Sequence, residues 1–332
     1  MHSVGHLQHD DPFYGYLRRD ILPQLGMNGG TPEFRVLRLP ASNDVYLYEE
    51  RCSGIRLVGK FFGGMVGRSA DAAMRRLAAE HRYLRQVRGI GFAGFPHAVA
   101  RPLGCNPGIN RVLVEEFCEG RPLTGFILQA IRAGARDALF RKLAALAWFL
   151  ATLHNRTAGG GRVDFEPECA YFDRIVARLA DGGLIGTDEV RALAQCRDRW
   201  RLRGCMWDDC RVLVHGDATP SNFLLGEGPY VVAIDLERMK RADRVFDLGR
   251  VAGELKHFFM QYAGDGRAAE PFIGHFLWEY ACHFPDRDAA FRAITERNPF
   301  YMALTLLRIA RNDWIAARHR GRLVHEATRT LG

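Results

Sequence analysis

His215-Gly216-Asp217-Ala218-Thr219-Pro220-Ser221-Asn222, followed by Ile234-Asp235-Leu236-Glu237, is the stretch on which the reading of this chain turns. An Asp, an Asn five residues on and a second Asp thirteen residues after that have the spacing phosphoryl transfer needs. A carboxylate can orient an attacking hydroxyl and accept its proton. An amide oxygen and a second carboxylate are the hard oxygen ligands Mg²⁺ takes beside nucleotide phosphates. Asp217 is therefore the expected catalytic base, with Asn222 and Asp235 as the expected metal ligands. Asp235 follows the apolar run Val231-Val232-Ala233-Ile234, so it is an acid at a strand's end, where a charge without a partner is costly to desolvate. Taken singly, the residues have plainer readings, since a loop Asp caps turns and Asn suits tight turns. It is the combination that points to chemistry. His215 is expected to support the loop by packing and hydrogen bonding, and Asp247 to brace it or to cap a helix.

Working back toward the N-terminus, three strands are expected: Phe34–Leu39, Val45–Tyr48 and Ile55–Phe62. Polar turns separate them, so they read as an antiparallel meander. Lys60 lies in the third, within Val58-Gly59-Lys60-Phe61-Phe62. The chain has 46 Lys and Arg together, and only Lys60, Lys142, Lys240 and Lys256 are lysines. A lysine among aromatics needs an anionic partner. Nucleotide phosphates would serve, with Glu80 holding the ammonium in place; the alternative is an outward-facing strand lysine. Glu80 shares a helical face with Ala73, Leu77 and Leu84, although His81 and Arg82 beside it leave open that it faces solvent. The turn Ala41-Ser42-Asn43-Asp44 sits where a phosphate-covering loop belongs, and Ser42 and Asn43 are candidate contacts.

A strand over Arg111–Phe117 ends at the break Glu119-Gly120-Arg121-Pro122. Beyond it the pattern turns helical, with the stripe Leu139, Leu143, Leu146, Leu150 and Leu153. A strand at Val212–Val214 leads into the Asp217 loop, a hairpin spans Phe223–Leu225 and Tyr230–Ile234, and everything past Asp247 reads as helix broken near Gly264 and Pro285. The expected fold is α+β and two-lobed: a helical extension over 1–33, a small antiparallel sheet with one helix over 34–117, and a larger, mainly helical lobe over 118–332.

The composition, 48% hydrophobic and 25% charged, is that of a globular protein. The longest near-continuous apolar stretch, Leu143–Leu153, is too short to span a bilayer, and Met1–His6 lacks the basic and apolar regions of a signal peptide, so a cytoplasmic protein without stable membrane insertion is expected. The eight cysteines are scattered and expected to be reduced; Cys205 and Cys210 lack the second ligand pair of a zinc site. The net charge of +8 follows from an arginine bias, and nothing else favours a nucleic-acid partner.

Together these residues carry a family resemblance. The chain resembles the aminoglycoside phosphotransferase and choline kinase-like branch of the protein-kinase-like fold. The matching segments are Ser42-Asn43-Asp44-Val45-Tyr46, Lys60, Glu80, Leu113–Gly120, Leu153-His154, His215–Asn222, Ile234–Glu237 and Phe246-Asp247-Leu248, in family order over roughly 34–250. The resemblance implies an ATP site under a five-stranded N-lobe, adenine held by backbone atoms of Glu116 and Cys118, and Mg²⁺ on Asn222 and Asp235. Two departures from protein kinases are informative. Gly216 replaces the Arg of H-R-D, and Glu237 replaces the Gly of D-F-G, both as in the small-molecule branch. They argue against a switched activation segment. Glu237 is a further candidate near the metal or the acceptor.

The expected activity is ATP- and Mg²⁺-dependent phosphorylation of a hydroxyl on a small molecule, a sugar or an amino-alcohol. An envelope saccharide kinase, a protein kinase and a nucleotide-binding pseudokinase scaffold are the alternatives. Arg292, Arg297, Arg308, Arg311, Arg318, Arg320 and Arg322 crowd the C-terminal third. They fit either an anionic or neutral acceptor or an arginine-biased solvated surface, and the sequence leaves both open, along with the oligomeric state.

Overall fold

In the computed structural model, residues 2–40, 44–63 and 69–332 are described. The chain divides into two compact units, Met1–Gly120 with Val232–Arg238, and Arg121–Val231 with Met239–Gly332.

The first unit is built on a six-stranded antiparallel sheet ordered His2–His6, Phe34–Arg38, Asp44–Glu50, Arg56–Phe61, Val112–Glu116, Pro102–Asn106. Its core gathers Phe13, Leu17, Ile21, Phe34, Tyr48, Leu57, Leu103, Val112 and Val114. The expected meander is present. Two expectations are corrected. Residues 2–6 form a strand rather than part of a helical extension, and this strand makes the sheet six-stranded instead of five. His2-Ser3-Val4-Gly5-His6 shows no apolar alternation, so its pairing rests on backbone hydrogen bonds along the Phe34–Arg38 edge, which side-chain pattern does not signal. The helical part of the extension runs as an α-turn over Pro12–Tyr16, a π-turn over Leu17–Ile21 and a 3₁₀ turn over Leu22–Leu25, closed by Gly26.

Cross-strand register decides the face Lys60 occupies. Lys60 sits opposite Leu113 and Val58 opposite Glu115. Side chains two apart share a face, so Lys60 and Glu115 are diagonal neighbours on one side of the sheet. The helix Ala70–Gly89 is capped by Ser69, whose hydroxyl accepts from Ala72 N–H at 3.2 Å. Its buried face is Ala73, Leu77, Glu80, Leu84 and Val87, as the periodicity predicts.

The second unit is mainly helical. Arg136–Arg156 buries the leucine stripe, and the C-terminal part runs as Val245–Tyr262, Glu270–Ala281, Arg287–Ala310 and Ala317–Leu331. Breaks fall near Gly264 and Pro285, as expected, and a further one, not expected, separates Ala310 from Ala317. Helices Val245–Tyr262 and Arg287–Ala310 approach closely because the first carries Gly249 and Gly253 at the contact. A Cβ on Gly249 would lie 2.2 Å from Tyr301 Cβ, and one on Gly253 2.6 Å from Thr305 Cβ. This pairing brings Asp247, Arg250 and Glu254 onto one helix and Arg308 onto its neighbour. A short ladder pairs Val212–Val214 with Lys240–Ala242, and the turn after Phe223–Leu225 is closed by Gly226 N–H donating to Tyr230 O at 3.0 Å. Among the described residues no helix is long and apolar enough to cross a membrane, and all eight cysteines are free.

Candidate active site

The first unit buries a lysine among acids. Lys60 is 8% exposed and Glu80 0%. Lys60 Nζ donates to Glu80 Oε1 at 2.5 Å and pairs with Glu115 Oε2 at 3.2 Å. Burial works against the ammonium, but Glu115, Glu80 and Asp235 outweigh it and hold Lys60 well above the usual lysine range. Glu80 is pushed up to about 8, chiefly by burial, because the Lys60 charge only partly offsets that burial and Glu115 and Asp235 add to it. The solvent-facing alternatives for both residues are thereby excluded. Glu115 had no expected role. Its signal was nonetheless there, an acid inside the apolar strand Val112-Leu113-Val114-Glu115, the same kind of anomaly that marked Lys60.

Asp235 and Glu237 belong to the same unit. Asp235 adopts φ +64°, a left-handed conformation that a non-glycine residue takes at a cost and that Asp tolerates better than most. Glu237 pairs with Arg76 of the Ala70–Gly89 helix. Carboxylate oxygens of Glu80, Asp235 and Glu237 all lie within 4.8 Å of one another. Glu80 Oε2, Glu115 Oε1 and Glu237 Oε2 are buried without a hydrogen-bond partner among the described residues. Four acids thus face Lys60, Arg76 and the more exposed Arg238, and burial and mutual repulsion push Glu80 and Glu115 up. Acids crowded against their own charge, with orphaned oxygens, fit a hard divalent cation.

Glu116 ends its strand exposed, its N–H donating to Arg101 O at 2.9 Å, and the half-buried Cys118 thiol, pushed up to about 12 by burial, donates to Glu116 O at 3.7 Å. Ser42 and Asn43 lie outside the described residues.

The second unit holds the Asp217 loop. Asp217 is 8% exposed and Asn222 9%. Asn222 Nδ2 donates to Asp217 O at 2.9 Å, and Asn222 N–H to Thr219 O at 3.0 Å. With its amide nitrogen committed to the loop, Asn222 keeps its side-chain oxygen as the end that can ligate a cation. The loop is braced from below. The Asp247 carboxylate accepts from His215 N–H at 2.6 Å and Gly216 N–H at 3.0 Å, and pairs with His154 Nε2 at 3.2 Å. Burial opposes its charge, yet His154 and the backbone donors overcome it and hold the carboxyl below the usual range. His154 Nδ1 in turn meets Tyr280 Oη at 2.9 Å. His215 Nδ1 accepts from Asp217 N–H at 3.3 Å, and its ring packs on Phe223. Gly216 has φ +79°, which explains why glycine occupies the position an Arg takes in protein kinases.

Sequence reasoning gave no individual role to the residue that touches Asp217. Arg308 Nη2 donates to Asp217 Oδ1 at 2.7 Å, and Arg308 Nη1 to Glu254 Oε1 at 3.4 Å. It is the one charge in the apolar run Leu306-Leu307-Arg308-Ile309-Ala310. Of the other C-terminal arginines, two match the expected solvated surface and three have structural partners that neither expectation foresaw. Arg297 is buried between Asp209 (2.7 Å) and Asp243 (3.3 Å), Arg320 and Arg322 donate to backbone carbonyls, and Arg292 and Arg318 are exposed.

A meander carrying a buried Lys–Glu pair and a mainly helical unit carrying an H-x-D-x-x-x-x-N loop define the protein-kinase-like fold. Residues 33–283 match the model of the phosphotransferase enzyme family, and the chain belongs to that family. Solved structures agree on the fold. An ethanolamine kinase from Plasmodium vivax is 13% identical with a TM-score of 0.59, covering 90% of this chain and 80% of its own. A choline kinase from Cryptosporidium parvum is 14% identical with a TM-score of 0.59, covering 96% and 92%. A gentamicin complex of APH(2″)-IIa is 12% identical with a TM-score of 0.56, covering 98% and 96%. No curated protein sequence matches the chain.

Proposed function

We propose that this phosphotransferase moves the γ-phosphoryl group of ATP, with Mg²⁺, to a hydroxyl of a small molecule such as a sugar or an amino-alcohol. The observation that carries the reading is the buried Lys60–Glu80 pair in a chain of this family, because a desolvated ammonium held by a carboxylate is the device that receives nucleotide phosphates. Lys60 would hold the α- and β-phosphates while Glu80 and Glu115 keep it charged and oriented. Backbone atoms of Glu116 and Cys118 would meet the adenine, and Ser42 and Asn43 the phosphates.

Asp235, with Glu237 beside it, and Asn222 are the residues that would hold Mg²⁺. When bound, the ion neutralises charge developing on the phosphate oxygens. Asp217 orients the acceptor hydroxyl and takes its proton as the new O–P bond forms and the bond to the β–γ bridging oxygen breaks, releasing ADP. Asp247, through His215 and Gly216, keeps the Asp217 loop from relaxing.

Asp217→Ala should lower phosphate transfer about 100- to 10,000-fold while calorimetric ATP binding stays close to that of the parent chain. Transfer retained at the parental rate would remove Asp217 from the chemistry.

A further inference from the structure

The surroundings of Asp217 are unusual in charge. Arg308 and Arg250 lie there, and a third arginine, Arg311, acts on the neighbouring Tyr171. Arg308 divides its guanidinium between Asp217 and Glu254. Arg250, only 3% exposed, lies one turn before Glu254 on helix Val245–Tyr262 and donates to the Tyr171 hydroxyl. Arg311, half-buried, follows Arg308 by three residues at the end of its helix. The carboxylates that Arg308 meets are Asp217 and Glu254.

The crowding of guanidinium groups leaves marks on the groups themselves. Arg250 Nε and Nη1 are buried and have no hydrogen-bond partner among the described residues, and neither does Arg308 Nε. Burial and the neighbouring Arg308 hold the Arg250 guanidinium below its ordinary range, although Tyr171, Asp217 and Glu254 favour the charge. Burial raises the Tyr171 phenol, yet Arg250, Arg308 and Arg311 together outweigh it and hold it below the usual value. A tyrosine whose anion is favoured despite burial reports a positive field. Arginine stays protonated in proteins, so this field is permanent.

We infer that Arg250, Arg308, Arg311 and Tyr171 form an acceptor subsite for an anion, so that the molecule phosphorylated at Asp217 carries a phosphate or carboxylate group a few bonds from its reacting hydroxyl. The inference rests on the kinase reading and narrows its substrate class. Guanidinium forks match both oxyanions, and the unpaired donors of Arg250 are the ones a bound anion would satisfy. A cationic acceptor, an aminoglycoside or a quaternary amino-alcohol, meets like charge here and is disfavoured. The 2.7 Å contact of Arg308 with Asp217 sets the scale, since a group on that arginine is within one small molecule's reach of the base.

The test uses the full chain with Mg²⁺ and radiolabelled ATP. Two matched series serve as acceptors: glycerol, glycerate and glycerol 3-phosphate; and glucose, gluconate and glucose 6-phosphate. Ethanolamine and choline supply the cationic arm. Within a series, the anionic member should be turned over at least about 100-fold faster at limiting concentration than its neutral counterpart. The carboxylate and phosphate arms tell which anion is used. Arg250→Gln and Arg311→Gln should each raise the acceptor KM about 10- to 100-fold while KM for ATP is unchanged. Arg311 is half-buried, so its variant keeps the test open if the buried Arg250→Gln fails to fold. Preference for neutral or cationic acceptors overturns the inference. So does an anionic advantage that survives both substitutions, or a rise in KM for ATP with equal loss on every acceptor, which would place the arginines on the nucleotide. A chain that binds ADP but phosphorylates no anionic member likewise overturns it while the kinase reading stands. A chain that neither binds ADP nor transfers phosphate to anything overturns both.

Discussion

The two units solve opposite electrostatic problems. In the first, a buried lysine is surrounded by the carboxylates Glu80, Glu115 and Asp235, with Glu237 close to two of them, the cluster proposed above to hold a cation. In the second, a buried aspartate pairs with Arg308, and Arg250 and Arg311 join Arg308 in acting on Tyr171, the cluster inferred above to receive an anion. Both sets are held on regular elements rather than on loops alone: Lys60 and Glu115 on adjacent strands, Arg250 and Arg308 on packed helices. On the proposed reading one chain supplies two distinct selectivities, the acid-rich set for metal and nucleotide and the arginine-rich set for whatever brings the hydroxyl.

The strongest way to break the comparison is at Asp235. Asp235→Ala should reduce transfer at saturating Mg²⁺ by about 100- to 1,000-fold and shift the Mg²⁺ requirement upward, as loss of a ligand to a charge-neutralising cation does. A magnesium titration identical to the parent's would show that the acid excess serves something other than a metal.

The second unit is more exposed to a packing change. In Gly249→Ala the new Cβ would lie 2.2 Å from Tyr301 Cβ and 2.8 Å from its carbonyl carbon, so helices Val245–Tyr262 and Arg287–Ala310 must part. Overpacking of this kind costs about 3 kcal/mol. Urea denaturation should show the loss. Because Arg250 and Arg308 ride on the two helices, acceptor KM should rise while ADP affinity holds. Unchanged stability would mean the helices separate at no cost.

The smallest effect is a pH dependence confined to the second unit. His257 Nδ1 faces His319 Nε2 at 3.0 Å, and burial first, then His319, lowers the His257 pKa to about 4. Folding therefore favours the neutral ring. Its contribution is complete above the ordinary value of 6.5 and is lost as pH falls toward about 4. The charged groups facing the pair include Arg322, which disfavours a proton on His319. Between pH 6.5 and 5.5 the expected loss is about 1 kcal/mol. His257→Phe should flatten that slope in denaturation curves; an unaltered slope would assign it to other groups.

The phosphoryl-transfer set was legible because chemistry leaves anomalies in pattern. Lys60 inside a strand of apolar neighbours, Glu80 on a helix's apolar face and Asp217 with Asn222 at fixed spacing all stand out from the residues around them. Strand order in the meander and the helical breaks followed from alternation and from Gly and Pro. The His2–His6 strand was not legible, because it pairs through backbone groups and its side chains carry no period. Arg308 is one of many arginines in the C-terminal third; its apolar neighbours Leu306, Leu307, Ile309 and Ala310 set it apart from Arg297, which is locked in an ion network with Asp209 and Asp243, but they do not say which acid it meets.

By itself, then, the sequence determined the phosphotransferase family and the order of elements, since both depend on residue types at short, fixed spacings. Tertiary structure decided which acid partners Lys60 besides Glu80, and which arginines reach Asp217. Those contacts join residues 55 apart and 91 apart in the chain. Cross-strand register brings the first pair together and the packing of helix Arg287–Ala310 beside the Asp217 loop the second, and no local pattern encodes either.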